Sequence, residues 1–257
     1  MLRFELRRIL KLGEPVSSRS EAASTEKQAL QSDVRQQGFY TLYGKRCFDA
    51  IVSAAGLILL SPLFLLISLC SKLFSTGPVF YLQRRSGKEN HKFLIVKFRT
   101  MTVGADQSGA GFTVKGDARI TSFGRYLRLS KIDELPQLWN VLKGEMSLVG
   151  PRPELPSYVA NYSDSQRAVL NIRPGITDAA SVYYRHEEAV LADSGDPESH
   201  YCSVVLPHKL ALNIEYLSNI SFHSDVAVIV RTLRSIWVNP SSHIHNGKGF
   251  NPNEPMI

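Results

Sequence analysis

Hydrophobic positions form one long block early in the chain. From Ala50 to Ser71 no charged residue interrupts the sequence, a length close to the roughly 20 residues that a bilayer-spanning helix needs. The block starts too far from the N-terminus to be a cleaved signal peptide, and no small-residue cleavage site follows it. Ser61-Pro62 falls at its middle. Proline removes a backbone donor and clashes with the preceding turn, so the helix is predicted to bend there. Lys45 and Arg46 precede the block, and Lys72, Arg84, Arg85 and Lys88 follow it; cationic flanks favour the cytoplasmic side. With both ends drawn to one side, a re-entrant helical hairpin fits best, its serine hydroxyl serving the carbonyls that the proline frees. A kinked single span and a buried core helix are the alternatives.

Elsewhere the pattern changes element by element. The N-terminal stretch from Leu2 to Leu12 is basic and amphipathic, suited to an anionic membrane surface or to packing on a core; after it the chain turns polar without an apolar period, as linkers and disordered segments do. Val79 to Arg84 and Lys92 to Arg99 are rich in β-formers around Gly87-Lys88-Glu89-Asn90, which predicts a hairpin. A polar, glycine-bearing loop is expected over 102–117, a short basic helix over 122–129, and a further helix over 130–144. Helices are also predicted over 156–170, 204–217 and 225–237, with a turn at Pro174-Gly175 and an acidic insertion over 187–198. The predicted fold class is therefore mainly α with a small β-hairpin: a monotopic membrane protein with a re-entrant, proline-broken N-terminal helix and surface-lying amphipathic helices. Its expected parts are an N-terminal extension (1–40), the membrane helix (41–75), a cytoplasmic catalytic domain (76–238) and a polar tail (239–257).

Composition narrows the partners. The formal charge of +7 points to an anionic partner: nucleic acid, an acidic membrane or a phosphorylated substrate. The basic residues form no single helical face and accompany no recognisable nucleic-acid motif, so nucleic acid is disfavoured. Cys47, Cys70 and Cys202 are widely spaced with no C-x-x-C pair, which fits a reducing compartment. His243-Ile244-His245 lies in the polar tail and reads as solvated rather than metal-ligating.

Candidate chemistry concentrates in Ser130-Lys131-Ile132-Asp133-Glu134-Leu135-Pro136-Gln137-Leu138-Trp139-Asn140, followed by Gly150-Pro151-Arg152-Pro153. Ser130-x-x-Asp133 has capping-box spacing, and acidic residues in a first turn also favour the helix dipole, so helix capping alone can account for the pair. It leaves unexplained Pro136, expected beyond the first helical turn, and the crowd of cations: Arg125, Arg128, Lys131 and Arg152. Adjacent helical residues point about 100° apart, so Asp133 and Glu134 cannot share one role. A carboxylate can attack phosphorus to give an acyl phosphate, and Mg²⁺ would reduce its repulsion from substrate phosphates. In Pro151-Arg152-Pro153, two prolines stiffen a loop that carries a phosphate-matching guanidinium.

These residues resemble the bacterial sugar transferases, also called monotopic phosphoglycosyl transferases. The resemblance covers about 43–237: Lys45-Arg46-x-x-Asp49 before the apolar block, Ser61-Pro62 within it, Lys97-Phe98-Arg99-Thr100-Met101, the stretch from Asp133 to Gly144, Met146 to Pro153, and Arg173-Pro174-Gly175-Ile176-Thr177. It implies transfer of a sugar 1-phosphate from a UDP-sugar to polyprenyl (undecaprenyl) phosphate on the cytoplasmic face of the bacterial inner membrane, releasing UMP and starting glycoconjugate assembly. It further implies a ping-pong mechanism with Asp133 as nucleophile, Glu134 as its partner, and Mg²⁺ held by Asp133 and Asp225. Arg128, Arg152, Pro151, Pro153 and Arg99 become substrate contacts, Ser61 and Pro62 the membrane-helix break, and Lys45, Arg46 and Asp49 the membrane interface. The implied partners are the nucleotide-sugar donor, the polyprenyl acceptor, inner-membrane lipid and a second copy of the chain. The small, minimal form of the family is expected. Two departures bear on substrate: Asp178-Ala179-Ala180-Ser181 replaces the more common Gly-Trp-Ala-Gln, and Asn213 stands where many members have Asp. The competing reading is a non-enzymatic, basic, membrane-anchored interaction module.

Overall fold

The computed structural model describes residues 40–105, 113, 116–184, 187–192 and 195–237. The amphipathic N-terminal stretch, the linker after it, most of the polar part of the 102–117 loop and the C-terminal tail lie outside the described residues.

The apolar block forms two helices, α1 (Lys45–Leu59) and α2 (Ser61–Phe74), bent by 58° at Leu60. The break is local chemistry: Pro62 sits in the first turn of α2, where its missing N–H costs nothing, and the Ser61 hydroxyl donates to the Ile58 carbonyl at 2.8 Å. No single described helix is long and apolar enough to cross a membrane, but the bent pair passes that test together. Both helices leave many of their apolar side chains exposed. α1 buries Asp49 and Ser53 and brings Gly56 against Leu138, while Ile51, Ile58 and Leu59 are exposed; α2 buries Ile67 and Ser71 and exposes Leu65, Leu69, Leu73 and Phe74. Large contiguous apolar surface of this kind marks a membrane or partner contact.

Lys45, Arg46 and Asp49, expected at a lipid interface, tie the start of α1 to the rest of the domain. Lys45 Nζ pairs with Asp225 at 2.5 Å. The Arg46 guanidinium donates to the Val141 and Leu142 carbonyls at 2.6 and 2.8 Å, near a helix C-terminus whose carbonyls lack intrahelical partners. Asp49 accepts the Leu148 amide at 3.1 Å.

The predicted hairpin is present as β1 (Phe80–Ser86) and β2 (Lys92–Phe98), antiparallel in the register Phe80↔Phe98. In β2 the two-residue period turns Phe93, Ile95 and Lys97 to one face, and Phe98 turns to the other, against Phe64 and Phe80. α3 (Ser122–Leu129) is capped by Thr121, whose hydroxyl accepts the Gly124 amide. Gly124 lies so close to Thr100 that a β-carbon would fall 2.1 Å from its carbonyl oxygen.

The helix expected over 130–144 is two pieces. A 3₁₀ turn, Ile132–Glu134, is followed by α4 (Gln137–Lys143) with Pro136 at its N-cap, so the proline lies at a helix start and breaks no hydrogen bond. The capping box does not form. Ser130 faces backward, donating to the Tyr126 and Leu127 carbonyls that end α3, and Lys131 takes φ 58° to turn the chain.

Beyond α4, β3 (Ser147–Val149) pairs in parallel with β4 (Gly175–Thr177), a pairing the hydrophobic pattern does not predict. The helix expected over 156–170 is α5 (Pro156–Ala160) plus a 3₁₀ segment, Gln166–Asn171. α6 (Ala179–Tyr183) follows, then α7 (Glu187–Ala192) and α8 (Pro197–His200) within the acidic insertion, and finally α9 (Leu206–Ser218) and α10 (Phe222–Trp237). One core cluster joins α5 to α9 through Tyr158, Val159, Tyr201 and Leu210; a second joins β2, α4, β3 and α10 through Ile95, Val141, Val149 and Val228.

Candidate active site

The 3₁₀ turn presents Asp133 and Glu134 between α3 and β2. β2 is held in place by Asn140, whose carboxamide accepts the Val96 amide at 3.0 Å and donates to the Leu94 carbonyl at 2.7 Å, as a neighbouring strand would. That staple fixes the face of β2 carrying Lys97. Lys97 Nζ lies 2.7 Å from Glu134 Oε1. The Arg152 guanidinium reaches the same carboxylate at 2.6 and 3.4 Å. Glu134 is thus locked between two cations, while Asp133 is 7 % exposed and its Oδ1 has no hydrogen-bond partner. Buried polar atoms are normally paired, so an orphan oxygen calls for an explanation.

The two carboxyls titrate in opposite directions. Burial, then the Glu134 charge, push Asp133 up to about 6, against the pull of Lys97, Arg128 and Lys131. Burial also works to raise Glu134, but Arg152 and Lys97 outweigh it and hold its carboxyl well below the usual range. Paired carboxyls pushed apart in this way divide into distinct chemical roles.

The loop carrying Arg152 is fixed along its length. The Gly150 amide donates to the Thr177 carbonyl, the Pro151 carbonyl accepts from the Gly175 amide, and the Ser86 amide donates to the Glu154 carbonyl. Arg85 donates to the Pro153 carbonyl, and the Tyr201 hydroxyl donates to the Glu154 carboxylate at 2.9 Å. Pro151 and Pro153, expected as substrate contacts, are buried in the loop, and the Arg152 side chain between them pairs with Glu134 of the dyad. Gly175 allows the approach, since a β-carbon there would lie 2.2 Å from the Gly150 nitrogen.

The remaining sequence-derived residues separate. Arg128 is half-buried and pairs with Glu188 of α7 at 2.8 Å. Arg99 donates to the Pro78 carbonyl at 2.9 Å, beyond the end of β2. Asp225, expected as a metal ligand with Asp133, sits in another network: its carboxylate accepts from Tyr40 at 2.7 Å and Tyr216 at 2.5 Å and pairs with Lys45. No hydrogen bond or ion pair among the described residues joins it to the dyad, and those residues hold no cluster of three His, Cys, Asp or Glu side chains fit for a metal. What suits a cation is the unpaired, buried oxygen of Asp133, because Mg²⁺ is commonly held by one or two carboxylates together with substrate phosphates. The residue that sequence reasoning passed over is Lys97, which the strand period places on the inward face with Phe93 and Ile95.

The structure thus joins a buried carboxylate with one unpaired oxygen, and a neighbour clamped by Lys97 and Arg152, to a domain that carries a broken apolar helix pair. The profile of the bacterial sugar transferase family matches residues 40–239, and the chain belongs to that family. It is 38 % identical over 195 residues to a UDP-N-acetylgalactosamine-undecaprenyl-phosphate N-acetylgalactosaminephosphotransferase of Aeromonas hydrophila, covering 75 % of this chain and 43 % of that protein. It is 35 % identical over 202 residues to a UDP-glucose:undecaprenyl-phosphate glucose-1-phosphate transferase of Caulobacter vibrioides, covering 77 % and 72 %. It is 31 % identical over 214 residues to the exopolysaccharide production protein ExoY of Rhizobium meliloti, covering 77 % and 88 %. The chain therefore spans less than half of the Aeromonas relative and most of the other two.

Proposed function

We propose that this protein transfers a sugar 1-phosphate from a UDP-sugar to undecaprenyl phosphate by a ping-pong route through Asp133. An Asp133 oxygen attacks the sugar-bearing phosphorus, the bond to the UMP oxygen breaks, and UMP leaves. A phosphate oxygen of the acceptor then attacks the same phosphorus and displaces the Asp133 carboxylate, giving the diphosphate-linked lipid. The observation that carries this reading is the free, buried Oδ1 of Asp133 beside a Glu134 already satisfied by cations. With its acidity near 6, Asp133 is mostly ionised at neutral pH yet more basic than an ordinary carboxylate, which favours attack. Arg152 and Lys97 supply the positive field for the phosphoryl oxygens. Asp133, together with the donor's phosphates, would hold Mg²⁺, which would supply further charge neutralisation.

The membrane part of the proposal rests on lengths and anchors. At 1.5 Å per residue, α1 and α2 are about 22 and 21 Å long. With a 58° bend, a pair lying symmetrically reaches about 11 Å deep, roughly a third of the ~30 Å hydrocarbon core. The start of α1 is tied to α4 and Asp225, and α2 packs on Phe98 through Phe64, so both arms rest on one folded domain. That favours re-entry over a crossing, with the domain on the cytoplasmic face of the inner membrane. Exposed Tyr126 and Leu129 on α3, beside Phe74 of α2 through Phe123, suit a helix lying on the same surface.

The reading is tested by incubating the purified chain with undecaprenyl phosphate, Mg²⁺ and a panel of UDP-sugars that includes UDP-glucose and UDP-N-acetylgalactosamine, and measuring UMP. Release with at least one donor, lost in Asp133→Asn, is expected; normal turnover by the variant would overturn the assignment. Cysteines placed before Lys45 and after Lys72 are both expected to be labelled from the cytoplasmic side, and labelling from opposite sides would refute re-entry.

A further inference from the structure

We propose that Asp178 and Asn213 act as a buried positioning pair for Arg152, a role that rests on the reading of Arg152 as a phosphate contact. Asp178 is 1 % exposed and Asn213 3 %. Asp178 stands at the N-cap of α6, where its Oδ1 accepts the Ser181 amide at 2.5 Å. A cap needs only that one oxygen, and serine or threonine would serve. The second oxygen does something else: Oδ2 accepts the Arg152 backbone amide at 3.0 Å and the Asn213 Nδ2 at 2.9 Å. One buried carboxylate therefore joins three elements, with α6 on one oxygen and the Arg152 loop and α9 on the other.

The chemistry of the pair is specific. Oδ2 faces two donors, so the amide of an asparagine at 178 would set N–H against N–H there or abandon the cap. Asn213 must be neutral and must donate, since a carboxylate at 213 would confront Asp178 without a proton between them. Asn213 Oδ1 is buried with no partner, which indicates that the side chain is held by the Nδ2 bond alone. The carboxylate lies in the β4–α6 turn and its amide complement on α9. Arg152 is reached through its main chain, and the flanking prolines leave it no alternative amide to offer. Its guanidinium then extends to Glu134 at 2.6 Å. Asp178 and Asn213 position Arg152 and touch no reacting atom.

Because proline has no amide, Arg152 carries the only backbone N–H in Pro151-Arg152-Pro153, so hydrogen exchange of this segment reads the proposed bond directly. The decisive variant is Asp178→Ser, which retains a cap for α6 and removes the second oxygen. In the full-length chain, Arg152 amide exchange is expected to accelerate at least tenfold, with a lowered melting temperature from the two donors left unpaired. UMP release from UDP-glucose or UDP-N-acetylgalactosamine is expected to fall on the order of 100-fold, as a displacement of about 1 Å can cause. The loss should lie in kcat more than in KM, and Asp178→Ser should add nothing in an Arg152→Ala background, where a purely structural role would add its own loss. Asn213→Asp should reproduce the exchange and turnover defects. Unchanged Arg152 exchange in Asp178→Ser would overturn the pair; accelerated exchange with unchanged turnover would leave the pair standing as an anchor and overturn the catalytic reading of Arg152.

Discussion

Replacing Asp133 with asparagine is expected to make the protein more stable at neutral pH while abolishing turnover. Asp133 is 7 % exposed, and burial with the adjacent Glu134 charge moves its carboxyl from 3.8 to about 6. The folded protein thus holds this proton more tightly than the unfolded chain does. Stability falls as pH rises from about 4 to about 6; above that window the whole cost is present, and below it none. Two pKa units correspond to about 3 kcal/mol. Asparagine is neutral throughout and escapes this cost, although its buried amide returns about 1 kcal/mol if unpaired. The expected gain at pH 7.5 is about 2 kcal/mol, or roughly 4–8 °C in Tm for a domain of this size. Thermal melts of both proteins in the same detergent at pH 4.5, 6 and 7.5, without divalent cations, make the comparison. A gain that grows with pH across this range supports strain at the dyad. An equal difference at all three values, or a less stable variant at pH 7.5, would refute it.

Arg46→Ala removes two hydrogen bonds to the carbonyls ending α4 and should destabilise the fold by about 2–4 kcal/mol, read by urea denaturation; a change below about 0.5 kcal/mol would show that α1 is not clamped there. Gly175→Ala drives a β-carbon into Gly150 and should separate β3 from β4, lowering stability by about 2 kcal/mol and releasing the Arg152 loop; wild-type UMP release would contradict this. Lys97→Met takes from Glu134 one of the two cations that clamp it and from Asp133 one of the charges that hold its pKa down. The acid limb of the pH–rate profile should therefore move to higher pH, and an unmoved limb would exclude Lys97 from the site.

Where one local rule governs, the sequence could be read directly. Runs of β-formers around Gly87-Lys88-Glu89-Asn90 indicated the hairpin, and Ser61-Pro62 marked the 58° break, because a missing donor acts on its own turn. Where two rules compete, the pattern misled. Ser130-x-x-Asp133 suits a capping box, yet Ser130 closes the helix before it and Lys131 reverses the chain. Pro136 read as a fault inside a helix, and lies at the start of one. Lys45, Arg46 and Asp49 flank an apolar block, and their intramolecular partners, Asp225, Val141, Leu142 and Leu148, are distant in sequence and supplied only by packing. The parallel pair β3–β4 has three residues per strand, too few for any period to register. Asp133, Glu134 and Arg152 stood out because their charges break local economy; Lys97 did not, because its place beside Glu134 depends on which face of a strand it occupies.

The nucleophilic role of Asp133 is tested most directly by intact-protein mass spectrometry of the chain mixed with its UDP-sugar donor in the absence of polyprenyl phosphate. A mass increase equal to one sugar phosphate, mapped to Asp133, formed with an equivalent of UMP and discharged on adding undecaprenyl phosphate, is the expected result. Turnover with acceptor present, but no adduct and no UMP release without it, would contradict the account and point to direct transfer between the two substrates.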